Sequence, residues 1–378
     1  MVYTPLMRKR FAALLAAPAW LVALPGASAP PDARAQSAPA AATEARSLER
    51  ALVALGAPAA VAVVDGRGRL RAAARGLADP RSGRPFTAAT PVRVASNTKT
   101  FVAATVLRLW EQGRIDLDAP VGPLIAPELD AMLRGDGYDT GRITVRHLLG
   151  HSAGLYDHGA DPRYLEAVLA DPGHRWTRAE QIRLMVDYAD PQSAPGTEFR
   201  YSDDGYILLG DIVERSTGMD LAAAVRRELR LDRLGLKETW WEAEEPAPRS
   251  SPDRARQFIG ATDGTDIHAS MDLYGGGGLV MSSRDLARFF AALFGGKVFD
   301  RPATLREMLR KGPHKGADAY RLGIFVKGSD GRELYWHSGF WGTAAYYDPR
   351  TGRAVAGVTL NQTGYRKLVR LLEAVIAP

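Results

Sequence analysis

Ser96-Asn97-Thr98-Lys99 is the only Ser-x-x-Lys in this 378-residue chain. On a helix, that spacing puts both side chains on one face, one turn apart. A serine hydroxyl is a weak nucleophile until a base takes its proton, and a lysine serves as that base when its surroundings make the neutral amine accessible. Val92 and Val94 precede the serine, and Phe101, Val102, Ala104, Thr105, Val106, Leu107 and Leu109 keep a helical period up to Gly113. Ser96 is therefore expected where a strand gives way to a helix N-terminus, which exposes the hydroxyl and favours developing negative charge. Two further sites follow in order. Tyr201-Ser202-Asp203, after Pro195-Gly196 and before the apolar run Tyr206 to Gly210, puts a phenol on a loop ahead of a helix; His337-Ser338-Gly339 lies on a predicted strand before Phe340-Trp341-Gly342.

Other motifs compete for the chemistry. Gly150-His151-Ser152-Ala153-Gly154 matches G-x-S-x-G, the nucleophile elbow of α/β-hydrolases, which needs a strand before it and a helix after it. Here Val145 to Leu149 reads as a short helix, and Asp157, Gly159 and Asp161-Pro162 bar a long helix afterwards, so Ser152 is the minor alternative and its segment is expected to be a loop lining the cleft. His147, His151 and His158 include an i, i+4 pair, but Gly150 interrupts it and no Glu follows His147, so surface or capping roles are expected rather than a metal site. Gly275 to Gly278 lacks the Lys-Ser or Lys-Thr of a phosphate loop and reads as a tight turn under a sheet. Trp336, Phe340, Trp341, Tyr346 and Tyr347, clustered around His337, read as core aromatics.

The elements that must position these residues follow from periodicity and turns. Leu48, Leu52 and Leu55 mark a first helix opening at Thr43, and Ala60 to Val64 with Leu70 to Ala74 form a hairpin around Asp65-Gly66-Arg67-Gly68. Helical runs occupy the middle. Leu322 to Val326, Leu334 to Trp336, Ala344 to Tyr347 and Val355 to Leu360 then read as strands, and Leu368 to Ile376 as a closing helix. The expected fold class is α/β of the α+β type: an antiparallel sheet flanked by N- and C-terminal helices, with an inserted, mainly helical subdomain. The sheet part is expected over about 43–95 plus 281–378, the helical part over about 96–280.

Composition bounds the rest. With 46% hydrophobic and 24% charged residues the chain is ordinarily globular, and having no cysteine removes thiolate nucleophiles and Cys-based metal sites. Arg8, Lys9 and Arg10, the apolar run Phe11 to Leu24 and Ala33-Arg34-Ala35 before Gln36 spell an export signal over 1–35, followed by a linker over 36–42. The run is shorter than the roughly 20 residues of a spanning helix and contains Pro18, so no transmembrane anchor is expected after cleavage, and the expected location is periplasmic or secreted. Removing that segment, with four basic residues and one acid, lowers the net charge from +6 to about +3, which gives nucleic acid little claim as a partner.

At the Ser96, Tyr201 and His337 motifs, in that order from about Ser47 to the C-terminus, the sequence resembles the serine β-lactamase-like hydrolases: class C β-lactamases, D-Ala-D-Ala carboxypeptidases and related esterases. The stretches Ile143 to Leu149, Gly275 to Val280 and Asp285 to Ala287 share the resemblance. It implies an acyl-enzyme on Ser96, a proton shuttle of Lys99 and Tyr201, an oxyanion hole of the Ser96 and Phe340 backbone N–H groups, and His337 near a substrate carboxylate or the Tyr201 hydroxyl. Asp203, Ser338 and Gly339 are expected to touch the substrate, a small molecule or peptide, peptidoglycan-derived peptides included, and no metal or cofactor is called for. Two departures stand out: Asp203 replaces an Asn of many relatives, and His337 stands where class C enzymes carry Lys. Generic amide or ester transfer is favoured over efficient β-lactam hydrolysis. A receptor that acylates once and stays blocked is the alternative.

Overall fold

A computed structural model describes residues 37–328 and 331–377, so the expected export signal lies outside the described residues. Six antiparallel strands form the main sheet: β1 (Ala59–Val64), β2 (Leu70–Arg75), β3 (Phe325–Lys327), β4 (Leu334–Gly339), β5 (Thr343–Asp348) and β6 (Arg353–Thr359). Their spatial order is β3-β4-β5-β6-β1-β2, so strands nearly three hundred residues apart in sequence meet inside the sheet, with Ala59 opposite Thr359 and Val63 opposite Val355. This is the expected sheet. The Asp65 carboxylate accepts from the N–H groups of Arg67 and Arg69 and Gly68 takes φ +77°, which closes the β1–β2 turn in a conformation that suits glycine.

Both faces of β1 are apolar because both are covered. Val61 and Val63 face Leu48, Leu52 and Leu55 of α1 (Ser37–Leu55) and Leu368, Leu372 and Ile376 of α6 (Tyr365–Ile376). Ala60, Ala62 and Val64 face the main core, where α5 (Ser283–Phe294) packs through Phe289 and Phe290. Helix α1 starts at Ser37 rather than Thr43, so the stretch expected as a linker over 36–42 is helical from its second residue; alanine is the strongest helix former, and Pro39 is tolerated in a first turn.

Between β2 and β3 lie α2 (Thr98–Glu111), α3 (Val145–Leu149), α4 (Asp203–Thr217) and further helices. The segment expected as helical also contains strands: Leu279–Met281 pairs with Val92–Arg93 on one side and with Thr239–Trp241 on the other, and Phe258–Ile259 pairs with Thr262–Asp263. That small three-stranded sheet fixes the approach to Ser96. Among the described residues no helix is long and apolar enough to cross a membrane.

Candidate active site

The strand Val92–Arg93 ends in a constrained turn. The N–H of Val94 donates to Leu279 O, Ala95 takes φ +46°, and Ser96 follows in a single 3-10 turn that runs into α2. Positive φ is costly for a side chain with a Cβ, and here it lifts Ser96 out of the packed strand at the head of the helix. Asn97, fully buried, ties the turn down: its Nδ2 donates to Val94 O at 3.0 Å and to Thr343 Oγ1 on β5 at 2.8 Å. On the far side Gly339 passes so close that a Cβ there would lie 2.1 Å from Val94 O. Only glycine fits. This contact carries Phe340, 37% exposed, to the edge of the nucleophile turn, where its expected oxyanion role would be exercised.

Lys99 is completely buried, one helical turn below Ser96, while Ser96 keeps partial access to solvent. Its Nζ donates to Ser96 Oγ at 3.0 Å and to the carbonyl of Gly276 at 2.6 Å, and it pairs with Asp203 Oδ1 at 2.6 Å. Burial works against the ammonium, but the carboxylate of Asp203, aided by Tyr201 and Asp272, outweighs it and raises the lysine pKa. The Tyr201 hydroxyl shares a hydrogen bond with Ser96; burial holds the phenol protonated, against the pull of Lys99, whose Nζ lies 5.3 Å from the ring centroid. Ser96, Lys99 and Tyr201 thus converge from α2 and from the loop before α4.

Carboxylates surround this centre more densely than the motifs suggest. The N–H of Asp203 donates to Asp157 Oδ1 at 3.0 Å, and burial beside Asp203 and Asp204 pushes the Asp157 carboxyl above its usual range. Asp272, half-buried, is pushed up to about 6 by the loss of solvation and by Asp203. Asp204 pairs with His158 at 2.9 Å. Asp203 therefore faces Lys99 rather than presenting itself only to a substrate, and the Gly275 to Gly278 turn belongs to the site through the Gly276 carbonyl instead of merely supporting a sheet.

The strand motif behaves differently from expectation. His337 is 1% exposed; its Nε2 meets Tyr320 Oη at 3.2 Å, not the Tyr201 hydroxyl, and its Nδ1 lies 2.9 Å from the Ser338 carbonyl oxygen and 3.0 Å from its N–H. Ser338 alternates to the other face, where its side chain bonds Tyr365 of α6 and is turned from the cleft. Burial pushes the His337 pKa down to about 3, so the imidazole is neutral. Its folded pKa is depressed, so its stabilisation is complete above the ordinary histidine range and is lost as pH falls toward 3, at up to roughly 1.4 kcal/mol per pH unit. Thermal melts of the wild type and His337→Gln between pH 7 and 4.5 should show the smaller acid-side loss in the variant; parallel curves would refute this.

The G-x-S-x-G segment follows the short helix α3 and forms a turn. Ser152 is 2% exposed, its N–H donates to His147 O and its carbonyl accepts from Gly196 N. Rather than the cleft of Ser96, it lines a cavity of about 320 Å³ together with His147, His314 and Arg321. Of the three histidines only His147 caps a helix, closing a capping box with Thr144; His151 and His158 are buried, not on the surface. Among the described residues no His, Asp and Glu cluster is spaced to hold a metal ion. Of the five aromatics expected in the core, Trp341, Tyr346 and Tyr347 are buried there, Trp336 is half-buried between Phe325 and Tyr346, and Phe340 is exposed because the turn after Gly339 carries it to the surface.

Comparison with known proteins shows the family. The Beta-lactamase family profile matches residues 45–376. Esterase EstB of Burkholderia gladioli is 32% identical over 278 residues, which cover 67% of this chain and 69% of that one. The D-alanyl-D-alanine-carboxypeptidase/endopeptidase AmpH of Escherichia coli (strain K12) is 24% identical over 265 residues, 69% of this chain and 62% of that one. The crystal structure of a D-stereospecific amidohydrolase from Streptomyces sp. superposes with a TM-score of 0.71 at 27% identity, covering 89% of this chain and 99% of the other. With a match running from the first helix to the last and enzymes among these relatives, the chain belongs to the Beta-lactamase family and is a serine hydrolase.

Proposed function

We propose that this protein is an exported acyl hydrolase that forms an acyl-enzyme on Ser96 and acts on neutral esters or amides. The observation that carries the reading is the buried Lys99 Nζ 3.0 Å from the partly open Ser96 Oγ, with Tyr201 on the same hydroxyl. In the free-amine form of Lys99, Ser96 Oγ bonds to the substrate carbonyl carbon and gives its proton to Lys99, the backbone N–H groups of Ser96 and Phe340 hold the oxyanion, and the proton passes by way of Tyr201 to the departing oxygen or nitrogen as its bond to the acyl carbon breaks. Water then cleaves the acyl-enzyme. D-Ala-D-Ala peptides, β-lactams and short-chain esters all fit this chemistry, and the esterase, carboxypeptidase and amidohydrolase relatives support its breadth. Neutral esters and amides are favoured because both ring nitrogens of His337 are engaged within the fold and its charge is suppressed, leaving it a poor holder of a substrate carboxylate. Export rests on the sequence of residues 1–35 alone.

Intact-mass spectrometry of the protein mixed with p-nitrophenyl butyrate and, separately, with a fluorescent penicillin tests the reading. An adduct that maps to the peptide containing Ser96, forms faster with the ester and clears with time is expected. Label on the Ser152 peptide would overturn the assignment, and an adduct that persists with every donor would leave a receptor that acylates without turnover.

A further inference from the structure

Within the G-x-S-x-G segment the unusual geometry belongs to the histidine. His151 adopts φ +51° and is 2% exposed, so a bulky, non-glycine side chain is held in the left-handed region deep inside the protein. Its main chain and its ring both grip the loop that carries the phenol. The carbonyl of His151 accepts from Arg200 N at 2.6 Å, and its Nδ1 accepts from Ser202 N at 3.2 Å, so the residues on either side of Tyr201 are both bonded to this one histidine. The imidazole also lies on the phenol itself, with ring centroids 4.2 Å apart and planes tilted by 32°, and is backed by Tyr320 at 4.7 Å and Tyr206 at 5.0 Å. Because Nδ1 accepts, the ring proton sits on Nε2, among those aromatic rings. Burial, with the nearby charge of Lys99, keeps the ring neutral, as an acceptor at Nδ1 must be.

We infer that His151 is a positioning residue for Tyr201: it fixes the backbone on both flanks of the phenol and the plane of its ring, and so aims the hydroxyl at Ser96. The inference rests on the proposed role of Tyr201 in moving the proton. A left-handed backbone is what lets one residue offer its carbonyl to Arg200 while its ring turns to Ser202, which explains why the strain is retained here.

A double-mutant cycle with p-nitrophenyl butyrate separates positioning from mere packing. His151→Leu keeps apolar bulk but removes the acceptor, and should lower kcat about 100-fold with KM changed less than about threefold, in line with the cost of misplacing a catalytic group. In a Tyr201→Phe background the same change should cost less than about threefold, because the hydroxyl being aimed is gone. An equal loss in both backgrounds, or none in the wild type, would overturn the inference. His151→Asn places an acceptor at the same branch position and tolerates the left-handed conformation, so it should keep kcat within about tenfold even if the leucine variant does not fold; a 100-fold loss in folded His151→Asn would also overturn it. Unchanged kcat in Tyr201→Phe alone would instead strike the proposed proton path, which keeps the two failures apart.

Discussion

Ser96→Ala should abolish acyl-enzyme formation and lower kcat for esters and amides by about 10⁴-fold or more, while Ser152→Ala stays within about twofold of the wild type. The contrast follows from placement. Ser96 has a lysine amine at 3.0 Å, a phenol on its hydroxyl and a helix N-terminus beneath it. Ser152 sits in a turn after α3, 2% exposed, facing a different cavity from that of Ser96. Its local histidine is no base for it either: His147 Nδ1 accepts from Thr144 N, and its Nε2 would lie 2.8 Å from a Cβ added at Gly196. Steady-state kinetics on both variants, with a penicillin or phosphonate label as a second readout, decides the matter. Full activity in folded Ser96→Ala would remove the nucleophile from the proposal.

Lys99→Met should lower kcat by about 10² to 10⁴, the range expected when a general base is lost. Methionine matches the lysine stem in volume, so the core around α2 is kept, but Asp203 is left beside an apolar group. Asp203 is one quarter exposed, so the stability cost should fall below the roughly 3–5 kcal/mol of a fully buried broken pair. Asp203→Asn supplies the sharper test. The carboxylate favours the ammonium of Lys99, and an amide would not, so the lysine pKa falls and its free-base form appears at lower pH. The rising limb of the pH–kcat/KM profile should therefore move to lower pH in Asp203→Asn. A profile that stays in place would mean that Lys99 is not the group whose deprotonation limits the rate.

The sequence made the scaffold legible because its signals extend over several residues: the continuous apolar runs of β1, β5 and β6, the Asp65-Gly66 turn, and the leucine rows of α1 and α6. Residue type and spacing singled out Ser96 and Lys99, the family resemblance pointed to Tyr201, and the structure brings the three side chains together. What the sequence did not reveal has no such extended signal. A strand of three residues such as Leu279–Met281 or Thr239–Trp241 shows no period, and the pairing of Leu279–Met281 with Val92–Arg93 joins residues nearly two hundred positions apart. The Gly276 carbonyl that receives Lys99 is a backbone atom, which every residue possesses. His151 looked like an incidental member of a serine motif because its importance lies in a left-handed φ and in what it bonds at positions 200 and 202. Ser338 was assigned to the cleft through a family pattern, whereas strand alternation from the buried His337 turns it toward Tyr365.

The pairing of Ala59 with Thr359 also sets a timetable for synthesis. The β1–β2 hairpin leaves the ribosome nearly three hundred residues before the strand that must lie beside β1, and well before Gly339 and Thr343, which lock the turn around Ser96. Until then β1 offers an open apolar edge, the kind of surface on which incomplete chains aggregate. A nascent chain can therefore hold Ser96 and Lys99 through the synthesis of more than two hundred further residues without a competent site, and reactivity waits for strands β4 to β6.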